Sequence, residues 1–114
     1  MPLSKEDRKT VVEALRSGEY AQGRGYLACE PGSGCYYCVL GVVADVLLDT
    51  HWTKQQNSGV WMLSGSSSHA TIDNKLAQEI GLTIEEQVRA YSINDNGLHS
   101  FRELADMIES EGLL

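Results

Sequence analysis

The thirteen residues from Tyr36 to Leu48 form the most apolar stretch of the chain, contain no proline and are closed by Asp49. A run of that length exceeds an ordinary strand, yet falls well short of the roughly 20 apolar residues a membrane span requires. It is therefore expected to be a buried central helix, which the other elements must cover. Ser4, with Asp7 three residues on, reads as a capping box opening a helix over 5–17, with Val11, Val12 and Leu15 on one face and Gly18 at its end. Ile72, Leu76, Ala77 and Ile80 recur at helical spacing and stop at Gly81. Thr83 and Glu86 form a second capping box, opening a short helix through Tyr91. Ser100 and Glu103 form a third, ahead of the apolar stripe Phe101, Leu104, Ala105 and Ile108 that runs up to Gly112.

Between the first helix and the central one the helical period is lost. Tyr26 to Cys29 has the character of a short strand before the turn signal Pro31-Gly32-Ser33-Gly34, and Val60 to Leu63 can pair with it across a polar region. The expected fold class is α+β, mostly α: about five helices packed round a central apolar helix, with one short β-hairpin. With 114 residues, 42% of them hydrophobic and 22% charged, the chain suits a single domain over 1–114 with one core.

Nine basic residues against sixteen acidic ones give a net charge of -7, which argues against a nucleic-acid partner, because phosphate binding is driven by clustered Lys and Arg. The same surface suits a basic protein partner, and homo-oligomerisation is compatible with it. No apolar run is long enough for a membrane span, and residues 1–17 are charged and amphipathic where a signal peptide is apolar, so the expected location is cytoplasmic. Three cysteines, an odd number, argue against a disulfide framework.

Several constellations carry chemistry. Cys35 and Cys38 make a C-x-x-C at the head of the expected central helix, where backbone N–H groups lower a thiol's pKa. Zinc would need Cys29 in addition, with a His at irregular spacing. Neither the βαβ setting of a redox site nor a regular zinc spacing is present, and Cys38 reads better as a small buried hydrophobe. Cys38 as the nucleophile of a hydrolase or transferase is the catalytic alternative. It would draw on His51, His69 or His99, on Asp45, Asn94 or Asp95, and on Gln22 as oxyanion donor. Residues 92–103 have the length of a calcium loop, but Ser92 stands at the first ligand position, so a turn formed by Asn94 and Asp95 is preferred and no metal is assigned. Ser66, Ser67, Ser68 and His69 run into a helix and could cradle an anion. Tyr20, Tyr26, Tyr36, Tyr37 and Trp61, with Arg24, could sandwich a planar base. No cofactor is implied.

Tyr20-Ala21-Gln22-Gly23, Cys38-Val39-Leu40-Gly41-Val42 and Asn94-Asp95, followed by Ser100-Phe101 and Glu103 to Glu109, together resemble an uncharacterised family of small phage and bacterial proteins. That family carries aromatic-x-Gln-Gly, Cys-x-Leu-Gly and Asn-Asp motifs before a capped last helix. The resemblance spans most of the chain and singles out Gln22, Cys38, Asn94 and Asp95. By analogy with small phage proteins it implies a non-enzymatic binding protein. It would act in the host cytoplasm as a counter-defence protein that sequesters a nucleotide-like immune signal or inhibits a host factor. The ligand would meet Gln22, Arg24, Tyr26, Ser66 to His69, Asn94 and Asp95. A protein–protein interaction module is a further alternative.

Overall fold

In the computed structural model, residues 3–23, 27–32, 34–48, 52–54, 60–63 and 71–114 are described. Helix α1 (Lys5–Arg16) starts at Ser4, whose hydroxyl accepts the Asp7 N–H, and its buried face is Val11, Val12 and Leu15. Short strands β1 (Ala21–Gln22), β2 (Ala28–Gly32) and β3 (Gly34–Tyr37) lead into α2 (Val39–Leu47). Strands β4 (Trp52–Lys54) and β5 (Val60–Leu63) follow, then α3 (Asn74–Glu79), α4 (Ile84–Asp95) and α5 (Phe101–Glu111).

The central helix is present, and residues Val39 to Ala44 are all buried, as expected of a helix that is apolar all round. Helix α1 packs on both α2 and α5, and α4 packs on α2. The core thus runs through Val11, Leu15, Leu40, Val43, Leu104 and Ile108. The fold is α+β and mostly α. No helix among the described residues is long and apolar enough to cross a membrane.

Three features differ from the sequence expectation. The apolar run begins as a strand: Tyr36 and Tyr37 belong to β3, and the helix starts only at Val39. The aromatic pair Tyr36 and Tyr37 suits a strand and is paired on two sides, antiparallel to β2 (Ala28↔Tyr37, Cys29↔Tyr36) and parallel to β1 (Gln22↔Tyr37). Of the expected pairing with 60–63, Ala28↔Trp61 and Cys29↔Val60 form, but within a five-stranded sheet of order β1-β3-β2-β5-β4 that extends the hairpin, and Tyr26 lies outside the described residues. Finally, α4 runs past Tyr91 to Asp95, so Asn94 and Asp95 lie in its last turn and form no Asx turn. The turn is made one residue later, where Gly97 adopts a φ of 79° and the Asn96 side chain accepts the Leu98 N–H at 2.8 Å. The second and third capping boxes are both complete.

Candidate functional site

The N-terminus of α2 is the meeting point of all three sequence motifs. The first N–H groups of a helix lack intrahelical partners, and Cys38, the N-cap residue, gives no side-chain cap bond. The cap comes from α4: the Asn94 Oδ1 accepts the Val39 N–H at 3.2 Å. Asn94 is fully buried, and each of its polar atoms has a partner. Its Oδ1 also accepts from Gln22 Nε2 at 3.1 Å, and its Nδ2 donates to the Gly23 carbonyl and to Asp95 Oδ1, both at 2.9 Å. Gln22 Nε2 donates as well to the His99 carbonyl at 3.0 Å. Strand β1, helix α2, helix α4 and the segment before α5 are thereby tied through two linked amides, those of Asn94 and Gln22. Gly41 completes the junction, because a Cβ there would run into the Leu27 carbonyl, which accepts the Cys38 N–H at 3.1 Å. Glycine is required at this position by close backbone approach.

Cys38 sits in the middle of this junction with 2% of its surface exposed. Burial pushes the thiol from its ordinary 9.0 up to about 12; N–H groups of Gly41 and Leu40 oppose the rise, and the Asp95 carboxylate adds to it. A helix N-terminus favours the thiolate, yet here desolvation prevails. His99 Nδ1 is buried without a partner, and among the described residues the imidazole and the thiol share no hydrogen bond. Gln22, the expected oxyanion donor, has its amide engaged on Asn94 and His99. The catalytic alternative therefore finds its residues near one another but holding the fold together.

A second polar cluster is half-exposed. Asp45, on the solvent side of α2, accepts the Tyr20 hydroxyl at 2.5 Å on Oδ2 and the Trp52 Nε1–H at 3.0 Å on Oδ1. Tyr37 stands between the two donors, its ring edge-to-face with Tyr20 (centroids 5.0 Å apart, interplanar angle 87°) and with Trp52 (6.0 Å, 71°). Burial first, and the bond to Asp45 second, push the Tyr20 phenol above its ordinary value, so it stays a donor. Two ring donors thus hold one solvent-facing carboxylate, and a third ring, Tyr37, packs against both. Elsewhere a groove of about 300 Å³ lies between α1 and α5, lined by Lys5, Arg8, Lys9, Val12 and Glu109.

Residues 3–112 match the family profile described as domain of unknown function DUF8296. The chain belongs to this family. No curated protein and no solved structure matches it. In this DUF8296 domain the aromatic-x-Gln-Gly, Cys-x-Leu-Gly and Asn-Asp segments are the parts of one structural joint.

Of the sequence-nominated ligand residues, Gln22, Asn94 and Asp95 are brought together, but the amides of Gln22 and Asn94 point inward to backbone and to each other. Arg24, Tyr26, Ser66, Ser67, Ser68 and His69 lie outside the described residues, as does His51. The side chains of Cys29, Cys35 and Trp61 are likewise outside them. Among the described residues no group of three or more His, Cys, Asp or Glu is arranged to hold a metal. Trp52 was not nominated by the sequence, and Asp45 only as a catalytic orienter. The available signal was an acid interrupting the most apolar helix, seven residues before a Trp.

Proposed function

We propose that this domain is a non-catalytic binding protein whose recognition surface is the Tyr20–Tyr37–Trp52–Asp45 cluster. The observation that carries this reading is a solvent-facing carboxylate held by two half-buried ring donors, with a third ring packed against both. Aromatic faces take planar ligands, and an acceptor at their edge orients them. The engaged amides of Gln22 and Asn94 and the sealed thiol of Cys38 favour this surface over the motif junction. In the form that the resemblance suggests, the ligand is a nucleotide-like signal and the biological role is its sequestration from a host defence. Inhibition of a host protein through the same surface is the other form.

Thermal-shift measurements against nucleotides, cyclic nucleotides, nicotinamide derivatives and planar cations test the proposal. A ligand at 100 times its Kd stabilises by about 2.7 kcal/mol, an upward shift in Tm of roughly 10 °C for a domain of this size. That shift should disappear in Trp52→Leu. Stabilisation by none of these compounds, or an undiminished shift in Trp52→Leu, contradicts it.

A further inference from the structure

We propose that the group this cluster recognises is a guanidinium, presented by an arginine side chain of a basic protein partner; the inference rests on the binding reading above and narrows it to a ligand class. An ionised carboxylate offers about four lone-pair sites on its two oxygens. Tyr20 and Trp52 occupy one on each oxygen of Asp45, which leaves acceptor capacity on both oxygens of an exposed side chain. That pair is the complement of a planar N–C–N fork, the bidentate geometry in which arginine binds carboxylates. A lysine ammonium is a single point and cannot use both oxygens at once in that way.

The surroundings favour the same group. Among the described residues no Lys or Arg pairs with Asp45, so its charge is open to a cation from outside. The exposed parts of Tyr20 and Trp52 supply aromatic surface beside the carboxylate, where a flat, weakly hydrated cation gains cation–π attraction. Tyr20 and Trp52 each donate to Asp45, which holds the carboxylate in one rotamer before any ligand arrives, so less ordering is lost on binding. The net charge of -7 draws a basic partner in and opposes the phosphates of a nucleotide.

The test is titration of the whole chain, followed by the Trp52 indole N–H resonance and assigned with Trp52→Phe. The probes are N-acetyl-arginine methylamide, N-acetyl-lysine methylamide and guanosine monophosphate. The arginine probe should shift the Trp52 resonance saturably and bind severalfold more tightly than the lysine probe. Asp45→Asn, a surface change that leaves the core untouched, should weaken it about tenfold through loss of charge-assisted bonds. Equal binding of the arginine and lysine probes, or undiminished arginine binding in Asp45→Asn, overturns the proposal. A response to guanosine monophosphate without one to arginine overturns the guanidinium assignment while the binding reading stands. If Trp52 responds to none of these and the thermal-shift screen is also blank, both fall.

Discussion

Replacement of Asn94 is the sharpest test of how this domain is held together. In Asn94→Ala the Val39 N–H, first donor of the central helix, loses its acceptor in a buried place, and the Gly23 carbonyl loses its donor. Gln22 Nε2 keeps the His99 carbonyl, and Asp95 is half-exposed and can turn to water. An orphaned buried polar group costs about 1–3 kcal/mol, and the small cavity adds to it. The expected loss is therefore about 3–5 kcal/mol, a large share of the roughly 5–15 kcal/mol that holds a domain together. With an m value of about 1.5 kcal/mol/M, the urea midpoint should fall by about 2 M or more. Asn94→Asp separates hydrogen bonding from charge. Its Oδ1 can still accept from Val39 and Gln22, but its second oxygen faces the Gly23 carbonyl and the Asp95 carboxylate. Burial and repulsion raise this carboxyl's pKa in the folded state. Its protonated form is then favoured by folding, and stability relative to the parent is lost as pH rises through the ordinary carboxylate range towards 7. A change below about 0.5 kcal/mol in Asn94→Ala, or an Asn94→Asp variant with the parent's pH profile, would refute the assignment of these bonds.

Cys38 in the native chain should react with iodoacetamide at pH 7.5 far more slowly than a free thiol and at the free rate in urea; fast native labelling would restore the nucleophile reading. Its folded-state pKa of about 12 lies above the unfolded 9.0, so the stability it lends is present below pH 9 and is lost as pH rises through 9 to 12. The upper bound on that loss is about 4 kcal/mol, and Cys38→Ala should flatten the alkaline limb of the unfolding curve. Gly41→Ala drives a methyl into the Leu27 carbonyl and should cost more than about 3 kcal/mol or abolish soluble expression; a fully stable variant would show that the strand and helix are farther apart. Gln87 is fully buried, and its amide closes a two-way bond with the Ile72 backbone, 2.7 Å at Oε1 and 3.2 Å at Nε2. Gln87→Leu should therefore lower stability by about 2–4 kcal/mol and speed hydrogen exchange at Ile72, and unchanged exchange there counts against the pairing.

The helices were legible because their signals are local. Thr83–Glu86 and Ser100–Glu103 specify starts within four residues, and the Val11, Leu15 and Leu104, Ile108 spacings specify faces. The sheet was less so, since β1 is two residues long and exists only because Gln22 lies beside Tyr37 in register, a relation no local pattern carries. Tyr36 and Tyr37 read as part of the helix for the same reason: an apolar run without turn residues does not mark where a strand hands over to a helix. That Gln22, Cys38 and Asn94 belong together was readable from the motifs, but their role was not. A buried amide and a ligand-binding amide look alike in sequence, and burial is what distinguishes them. Asp45 is legible only as a catalytic orienter and Trp52 not at all, because their meeting depends on where β4 lies beside α2, a relation no local pattern carries.

The two clusters are mechanically one. Tyr37 is the residue before Cys38, Asp45 rides on the helix whose first N–H is held by Asn94, and Tyr20 lies two residues from Gln22, which bonds the same amide. Three of the four recognition residues are therefore mounted directly on the junction that the motifs build. A motif that is structural by its contacts can still matter to function by fixing distances elsewhere, here the 5.0 Å spacing of Tyr20 and Tyr37. This makes a distinction between the two kinds of substitution. Asp45→Asn, at an exposed position, should weaken ligand binding with only a small loss of stability. A mild junction variant such as Gln22→Glu, which keeps the length but loses the Nε2 donor to Asn94 and His99, should lower stability and binding together. If Gln22→Glu destabilises the domain while ligand affinity of the folded fraction is unaltered, the recognition cluster is positioned by the sheet alone, and the motif junction serves only the core.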